Sequence, residues 1–196
     1  VYLAKDAVLG RDLALKILRQ DVTRKPDRLE RFIQEARAAS ALNHPHLIAI
    51  YDIGESAPKR EGIAVGEPVL YIAMELVTGE TLRASIESGK RDVDSLLEYL
   101  AQAADAIAAA HAAGVTHRDL KPENIMIGKA ENGPPVVKLL DLGIAKLREI
   151  AGAENAGNTA LTMAGQVLGT PYYMSPEQWG EIPRDGNEEI DGRADI

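Results

Sequence analysis

The chain has 196 residues, the size of one domain or most of a larger one, with enough apolar sequence to bury a core. Its net charge of −8 argues against a surface built to grip nucleic-acid phosphates, which needs clustered Lys and Arg. It contains no cysteine, which excludes disulfides and thiolate metal sites, and no apolar run near the ~20 residues of a membrane span.

Read in chain order, Val1–Lys5 and Leu13–Leu18 are β-like and joined by a turn at "LGRD". The spacing of Leu29, Phe32, Ile33 and Ala36 predicts a helix over Pro26–Leu42, with Pro26 suited to its first turn. "HPHLIAIYDIG" and "PVLYIAMEL" alternate like paired strands, and the Gly-, Pro- and charge-rich stretch Glu55–Pro68 between them reads as a long hairpin loop. The pattern changes near Glu75–Gly79, a candidate hinge between strand-rich and helical portions. Thr81 is placed to cap a short helix running to Ser88. A longer helix is predicted over about Asp94–Ala113, with Leu96, Leu100, Ala103, Ala104, Ile107 and His111 as its stripe and Gly114 as its stop. Two short strands follow, Ile125–Ile127 and Val136–Leu140, split by "GKAENGPP". Beyond Asp141 regular patterning fades, and Ala151–Gly165 is small, polar and Gly-rich, as mobile segments are.

Chemistry concentrates in "HRDLKPEN", His117–Asn124. A carboxylate at Asp119 between Arg118 and Lys121 stays ionised and can orient a hydroxyl or accept its proton. Asn124 offers a neutral oxygen of the kind a hard cation takes. Asp141 directly follows a predicted apolar strand and precedes Leu142 and Gly143. Alone, the loop could be a salt-bridged turn and Asp141 a turn former. Together, two oxygen donors flanking adjacent strands suit a metal–phosphate site. Lys16 lies inside an apolar strand, where its stem could simply pack. Glu35 flanks the core-facing side of the first helix, where it could be solvated or could pair with Lys16.

"LALK", "RFIQEA", "HRDLKPEN", "DLG" and "GTPYYMSPEQ", in this order and spacing, resemble the eukaryotic-like Ser/Thr protein kinases of bacteria, over nearly the whole chain. The resemblance implies an α+β, two-lobed fold: a strand-rich N-lobe over 1–75, a hinge over 76–79, and a helical C-lobe over 80–196 with an activation segment over 141–177. It implies transfer of a phosphoryl group from ATP to Ser/Thr hydroxyls of protein substrates, with Mg²⁺ or Mn²⁺. Lys16 would contact the ATP phosphates and pair with Glu35. Asp119 would be the base, Lys121 the neutraliser of transferring charge, and Asn124 and Asp141 the metal ligands. Met74 would guard the adenine pocket, Glu75, Leu76 and Val77 would offer it backbone groups, and Val1, Ala14 and Met126 would sandwich the purine. Arg118 would hold a phosphorylated activation segment, with Thr162 and then Thr159 as phosphosites, and Thr170 would bridge to Asp119 and Lys121. His117, Leu142, Gly143, Glu177 and Asp195 would be structural, Asp195 holding the catalytic loop by backbone hydrogen bonds.

The departures also carry expectations. Val1 corresponds to the residue closing the family's glycine-rich loop, so that loop is expected upstream of residue 1. "DLG" stands for the commoner DFG, with Leu142 as the apolar plug. "DGRADI" stops where the central helix of the large lobe would begin, so an internal fragment with impaired folding and nucleotide binding is expected. A kinase dimer for trans-autophosphorylation is an expected partner, and a cytoplasmic location is expected, with any membrane anchor of the parent beyond residue 196. The alternatives are a pseudokinase or an interaction module without phosphotransfer; small-molecule kinases share the Asp and Asn spacing but lack "GTPYYMSPE".

Overall fold

One of the two inner strands of the larger sheet, Val69–Met74, reads VLYIAM and is buried along most of its length, with Leu70, Ile72 and Met74 packed in one apolar cluster. The computed structural model describes residues 1–18, 26–57, 59–60, 63–64, 66–129, 133–142, 171–179 and 190–196. In chain order the elements are β1 (Tyr2–Lys5), β2 (Asp12–Ile17), α1 (Pro26–Ser40), β3 (Ile50–Ser56), β4 (Lys59–Arg60), β5 (Ile63–Ala64) and β6 (Val69–Met74). β7 (Gly79–Thr81), α2 (Leu82–Ser88), α3 (Val93–Ala112), β8 (Ile125–Gly128) and β9 (Val136–Leu139) follow, with short 3-10 turns at Pro122–Asn124, Pro171–Tyr173, Pro176–Trp179 and Gly192–Asp195.

The first sheet is antiparallel in the order β1-β2-β6-β3. Its register sets Ala14 opposite Met74 and Lys16 opposite Ile72. Ala14 and Lys16 therefore stand on one face of β2, two residues apart. α1 packs on this sheet: Ala36 is buried with Ile48, Leu70, Ile72 and Met74, and Ile33, Val77 and Leu140 join the same cluster from its rim. The second sheet, β7-β8-β9, is a short antiparallel meander backed by α3. The loop between α1 and β3 stitches the two sheets: Leu139 N–H donates to His46 O at 2.8 Å, and Ile48 N–H to Leu139 O at 3.0 Å.

Two expectations are corrected. The stripe predicted on α3 is rotated: Tyr99, Ala103, Ala106, Ile107 and Ala110 are buried, while Leu100 is 48% exposed and Ala104 is also exposed. This helix carries apolar residues on every side, so its period does not single out a face. The stretch Glu55–Pro68 is more than a loop, since β4 and β5 pair within it as a small hairpin. The caps follow the sequence. Thr81 Oγ1 accepts from Ala84 N–H at 3.1 Å, and Gly114, at φ 74°, ends α3 while its N–H donates to His111 O. α3 also has an unpredicted cap: Asp92 accepts from Ser95 N–H at 2.8 Å.

Candidate active site

The loop His117–Asn124 is fixed mainly by its backbone. Asp195, 6% exposed, accepts His117 N–H and Arg118 N–H, each at 2.7 Å, and the ring N–H of His111 at 2.8 Å. On the other side of Arg118, its carbonyl accepts from Gln178 Nε2 at 2.6 Å. The expected backbone tie from Asp195 to this loop is thus present. Arg118 needs it, because its φ of 65° lies in the left-handed region, strained for a non-glycine residue.

His117 is fully buried. Its Nε2–H donates to Leu140 O at 2.8 Å, and its Nδ1 accepts from Asp119 N–H at 3.3 Å. These partners select the neutral ring with the proton on Nε2. Burial lowers its pKa, although the carboxylates of Asp195, Asp119 and Asp141 and the Leu140 carbonyl pull the other way. The ring is therefore a spacer between the loop and the residue preceding Asp141.

The candidate reactive groups stand on this frame. Lys121 Nζ donates to both oxygens of Asp119, at 2.9 and 2.8 Å. Asn124 Nδ2 donates to Asp119 O at 2.7 Å and to Asp119 Oδ2 at 3.0 Å, which leaves the amide oxygen of Asn124, without a hydrogen-bond partner among the described residues, as its hard donor. Leu140 N–H donates to Asn124 O at 2.9 Å, tying the end of β9 to the loop. One residue on, Asp141 has a φ of 61° and pairs with Lys16 Nζ at 2.6 Å. The sequence expectation pairs Lys16 with Glu35, whose side chain lies outside the described residues; among those described, the ion-pair partner of Lys16 is Asp141. Leu142 is 4% exposed in the cluster that holds Ala39 of α1 and Leu47.

An amide oxygen and a carboxylate are a donor set that fits a small hard cation, which takes one or two protein ligands and completes its shell with phosphate oxygens and water. Among the described residues no group of three or more His, Cys, Asp or Glu side chains converges, so an all-protein metal cage is not what this site offers.

The candidate nucleotide contacts are partly brought together. Ala14, Met74 and Val77 share one apolar cluster, whereas Val1 is 80% exposed and Leu76 is 39% exposed. Met126 is half-buried on β8 opposite Thr81 and Lys138. Glu75 holds a fold contact that sequence reasoning missed. Its N–H donates to Ala49 O at 2.9 Å, and its Oε2 accepts from Ala49 N–H at 3.2 Å and from Lys138 Nζ at 2.9 Å. Its own N–H is thus committed, so a base could use only its carbonyl and the groups of the next two residues. Thr159, Thr162, Thr170, Gly143 and the stretch Ala151–Gly165 lie outside the described residues. Glu177 is half-buried in the turn Pro176–Trp179.

A second missed feature lies beside the loop. Arg83, the second residue of α2, donates Nε–H to Glu123 Oε1 at 2.9 Å and Nη2–H to Tyr173 OH at 3.1 Å. No motif announced it, because its three residues are 40 and 50 positions apart in sequence.

Residues 1–195 match the family model described as "Protein kinase domain". The chain belongs to the protein kinase family. It is 38% identical over its whole length to the Serine/threonine-protein kinase PknB of Mycobacterium leprae (strain TN), and 40% identical over 179 residues to the Serine/threonine-protein kinase pkn3 of Myxococcus xanthus. It spans 28% and 30% of the lengths of those relatives. Among solved structures it is similar to the kinase domain of Mycobacterium tuberculosis PknI, with a TM-score of 0.64 and 26% identity, over 99% of this chain and 62% of that one. The α+β, kinase-like fold expected from the motifs is therefore the fold observed, and the family is one that works with ATP and a divalent metal.

Proposed function

We propose that the protein carrying this chain transfers the γ-phosphoryl group of ATP to Ser/Thr hydroxyls of protein substrates, with Asp119, Lys121, Asn124, Asp141 and Lys16 as its reacting centre. The observation that carries the reading is the joining of two motifs: Asn124 O accepts Leu140 N–H, which sets the Asp119–Lys121–Asn124 cluster beside the Asp141–Lys16 pair. In this reading Asp119 orients the attacking hydroxyl and accepts its proton. Lys121, already on the Asp119 carboxylate, offsets charge that builds on the transferring group. Lys16, which pairs with Asp141, would be the contact for the nucleotide phosphates, and Asn124 Oδ1 and Asp141 would hold the cation, with Mg²⁺ the proposed ion. The cation, when bound, screens the phosphate oxygens and aligns them for in-line displacement.

The division at 76–79 into two lobes with a hinge, and the base-binding role of Glu75, Leu76 and Val77, belong to the same proposal. So do Thr162 or Thr159 as phosphosites held by Arg118, a kinase dimer for trans-autophosphorylation, and a cytoplasmic location for the domain. The test is phosphate transfer from labelled ATP to a generic Ser/Thr protein by the full-length protein. Asp119→Asn is expected to lower turnover about 100- to 10,000-fold, the usual contribution of a positioned base. Equal transfer by both proteins would overturn the assignment of Asp119, and no transfer by the unaltered protein would favour the pseudokinase reading instead.

A further inference from the structure

We infer that Lys138 is a positioning residue of the proposed nucleotide site: through the Glu75 carboxylate it fixes the backbone that the base would use, and so sets the affinity for ATP without taking part in phosphoryl transfer. The inference rests on the phosphotransfer reading above and deepens its nucleotide-binding half.

Lys138 stands on a strand that is fixed at both of its neighbours. Val137 N–H donates to Gln102 Oε1 at 2.8 Å, Leu139 N–H donates to His46 O at 2.8 Å, and Val137 and Leu139 are fully buried. Alternation along β9 therefore turns Lys138 to the other face of the sheet, the face of Met126, its partner across the β8–β9 register. Met126 is one of the candidate purine contacts. From that face Lys138 Nζ reaches two acceptors, Glu75 Oε2 at 2.9 Å and Leu47 O at 3.3 Å.

Glu75 follows β6 directly and opens the candidate hinge. Its Oε2 also accepts Ala49 N–H at 3.2 Å, while its own N–H donates to Ala49 O at 2.9 Å. Glu75 and Ala49 thus grip each other twice, and one of the two grips needs the carboxylate to stay in place. That side chain is 27% exposed, so water competes for it. Lys138, 18% exposed, is its ion-pair partner among the described residues and holds it against that competition. Without the ammonium group the carboxylate turns to solvent and Ala49 N–H loses its acceptor. The Glu75 carbonyl, the group left for a base once the N–H is committed, is then no longer held in one orientation. A binding group that must be ordered when its ligand arrives costs affinity. The bonds of Lys138 go to Glu75 and Leu47, not to Asp119, Lys121 or Asn124, so turnover at saturating ATP is spared.

The experiment uses the full-length protein. Calorimetry with adenylyl imidodiphosphate and Mg²⁺ gives the nucleotide Kd, and transfer from labelled ATP gives KM and kcat. Lys138→Met keeps the stem and removes the charge. It is expected to raise Kd and the KM for ATP about tenfold, the scale of one charge-assisted bond, and to leave kcat within about twofold. Lys138→Arg keeps a donor and is expected to stay within about threefold of the unaltered protein in Kd. Glu75→Gln removes the same pair from its other side and is expected to raise Kd likewise, and the double variant should bind no more weakly than either single one. A Kd within threefold of the unaltered protein in either single variant overturns the inference. So does a larger fall in kcat, tighter nucleotide binding, absence of rescue by arginine, additive weakening in the double variant, or loss of cooperative melting in both single variants. Nucleotide binding without transfer by the unaltered protein overturns the proposed phosphotransfer alone, and the Kd comparison still decides the role of Lys138. Failure of the unaltered protein to bind nucleotide overturns both.

Discussion

Removing the Asp195 carboxylate is expected to do more damage than removing any one charged contact at the site. In Asp195→Ala, His117 N–H and Arg118 N–H lose acceptors at 2.7 Å, in a setting where His117 is fully buried. Each orphaned buried donor costs about 1–3 kcal/mol, so the pair costs about 2–6 kcal/mol. The His111 ring N–H loses its 2.8 Å acceptor as well, but that ring is partly exposed and water can replace some of the bond. A domain of this size loses about 2–4 °C of melting temperature per kcal/mol, so the expected fall is on the order of 10 °C. Asp195→Asn keeps one acceptor oxygen and should fall by about half as much, because its NH₂ faces a donor where an acceptor stood. Turnover should drop further than the remaining folded fraction predicts, because Arg118, at φ 65°, can relax once its N–H is released and carry Asp119 with it. The assay is thermal melting of the full-length protein beside phosphate transfer below the transition. A melting temperature within 2 °C of the unaltered protein, with normal transfer, would refute the claim that this carboxylate organises the loop.

Other outcomes follow from the same contacts. Lys16→Met removes the partner of Asp141 and the proposed phosphate contact, and ATP-dependent transfer should fall at least about 100-fold, with little change in melting because the pair is only partly buried. Gln178→Ala removes the 2.6 Å bond to Arg118 O, and should cost about 1 kcal/mol in a denaturant titration and lower kcat more than it alters the KM for ATP. Burial depresses the His117 pKa, so its stability contribution is full above the unfolded-state value of about 6.5 and is lost as pH falls below it. Melting temperature should therefore decline from pH 7 to pH 5.5, and His117→Gln should flatten that part of the profile. Thr81→Ala should destabilise by about 1 kcal/mol in a denaturant titration through loss of the α2 cap.

Much of the candidate site was legible because the proposed chemistry needs particular side chains at fixed local spacing. Asp119, Lys121 and Asn124 must share one tight loop, and Asp141 must leave the strand beside it; short-range sequence carries both facts. What sequence could not specify are contacts made by main chain or across long separations. Gln178 reaches a carbonyl 60 residues away, Arg83 joins two segments 40 and 90 residues distant, and Glu75 spans 63 residues to Lys138. None of these has a spacing that a local pattern could register. The α3 error has a different origin. Where Leu, Ala, Tyr and Ile alternate around a helix, hydropathy no longer selects a face, and what packs against it decides which side is buried.

The two residues with left-handed backbone, Arg118 and Asp141, are best understood together. Such positions cost about 1–3 kcal/mol each unless the surroundings over-determine them. Arg118 is held on its amide by Asp195 and on its carbonyl by Gln178. Asp141 is held by Lys16 through its side chain, while its predecessor Leu140 is held on its carbonyl by His117 and on its amide by Asn124. Among the described residues, the restraints on the first strained residue reach its backbone from the side chains of Gln178 and Asp195, but the restraint on the second is partly an ion pair for which a nucleotide phosphate would compete in the proposed function. Arg118 should therefore stay fixed through a catalytic cycle while Asp141 is free to change partners. That asymmetry is what the proposed phosphoryl transfer would ask of Asp119 as a base that stays in place and of Asp141 as a metal ligand that engages and releases.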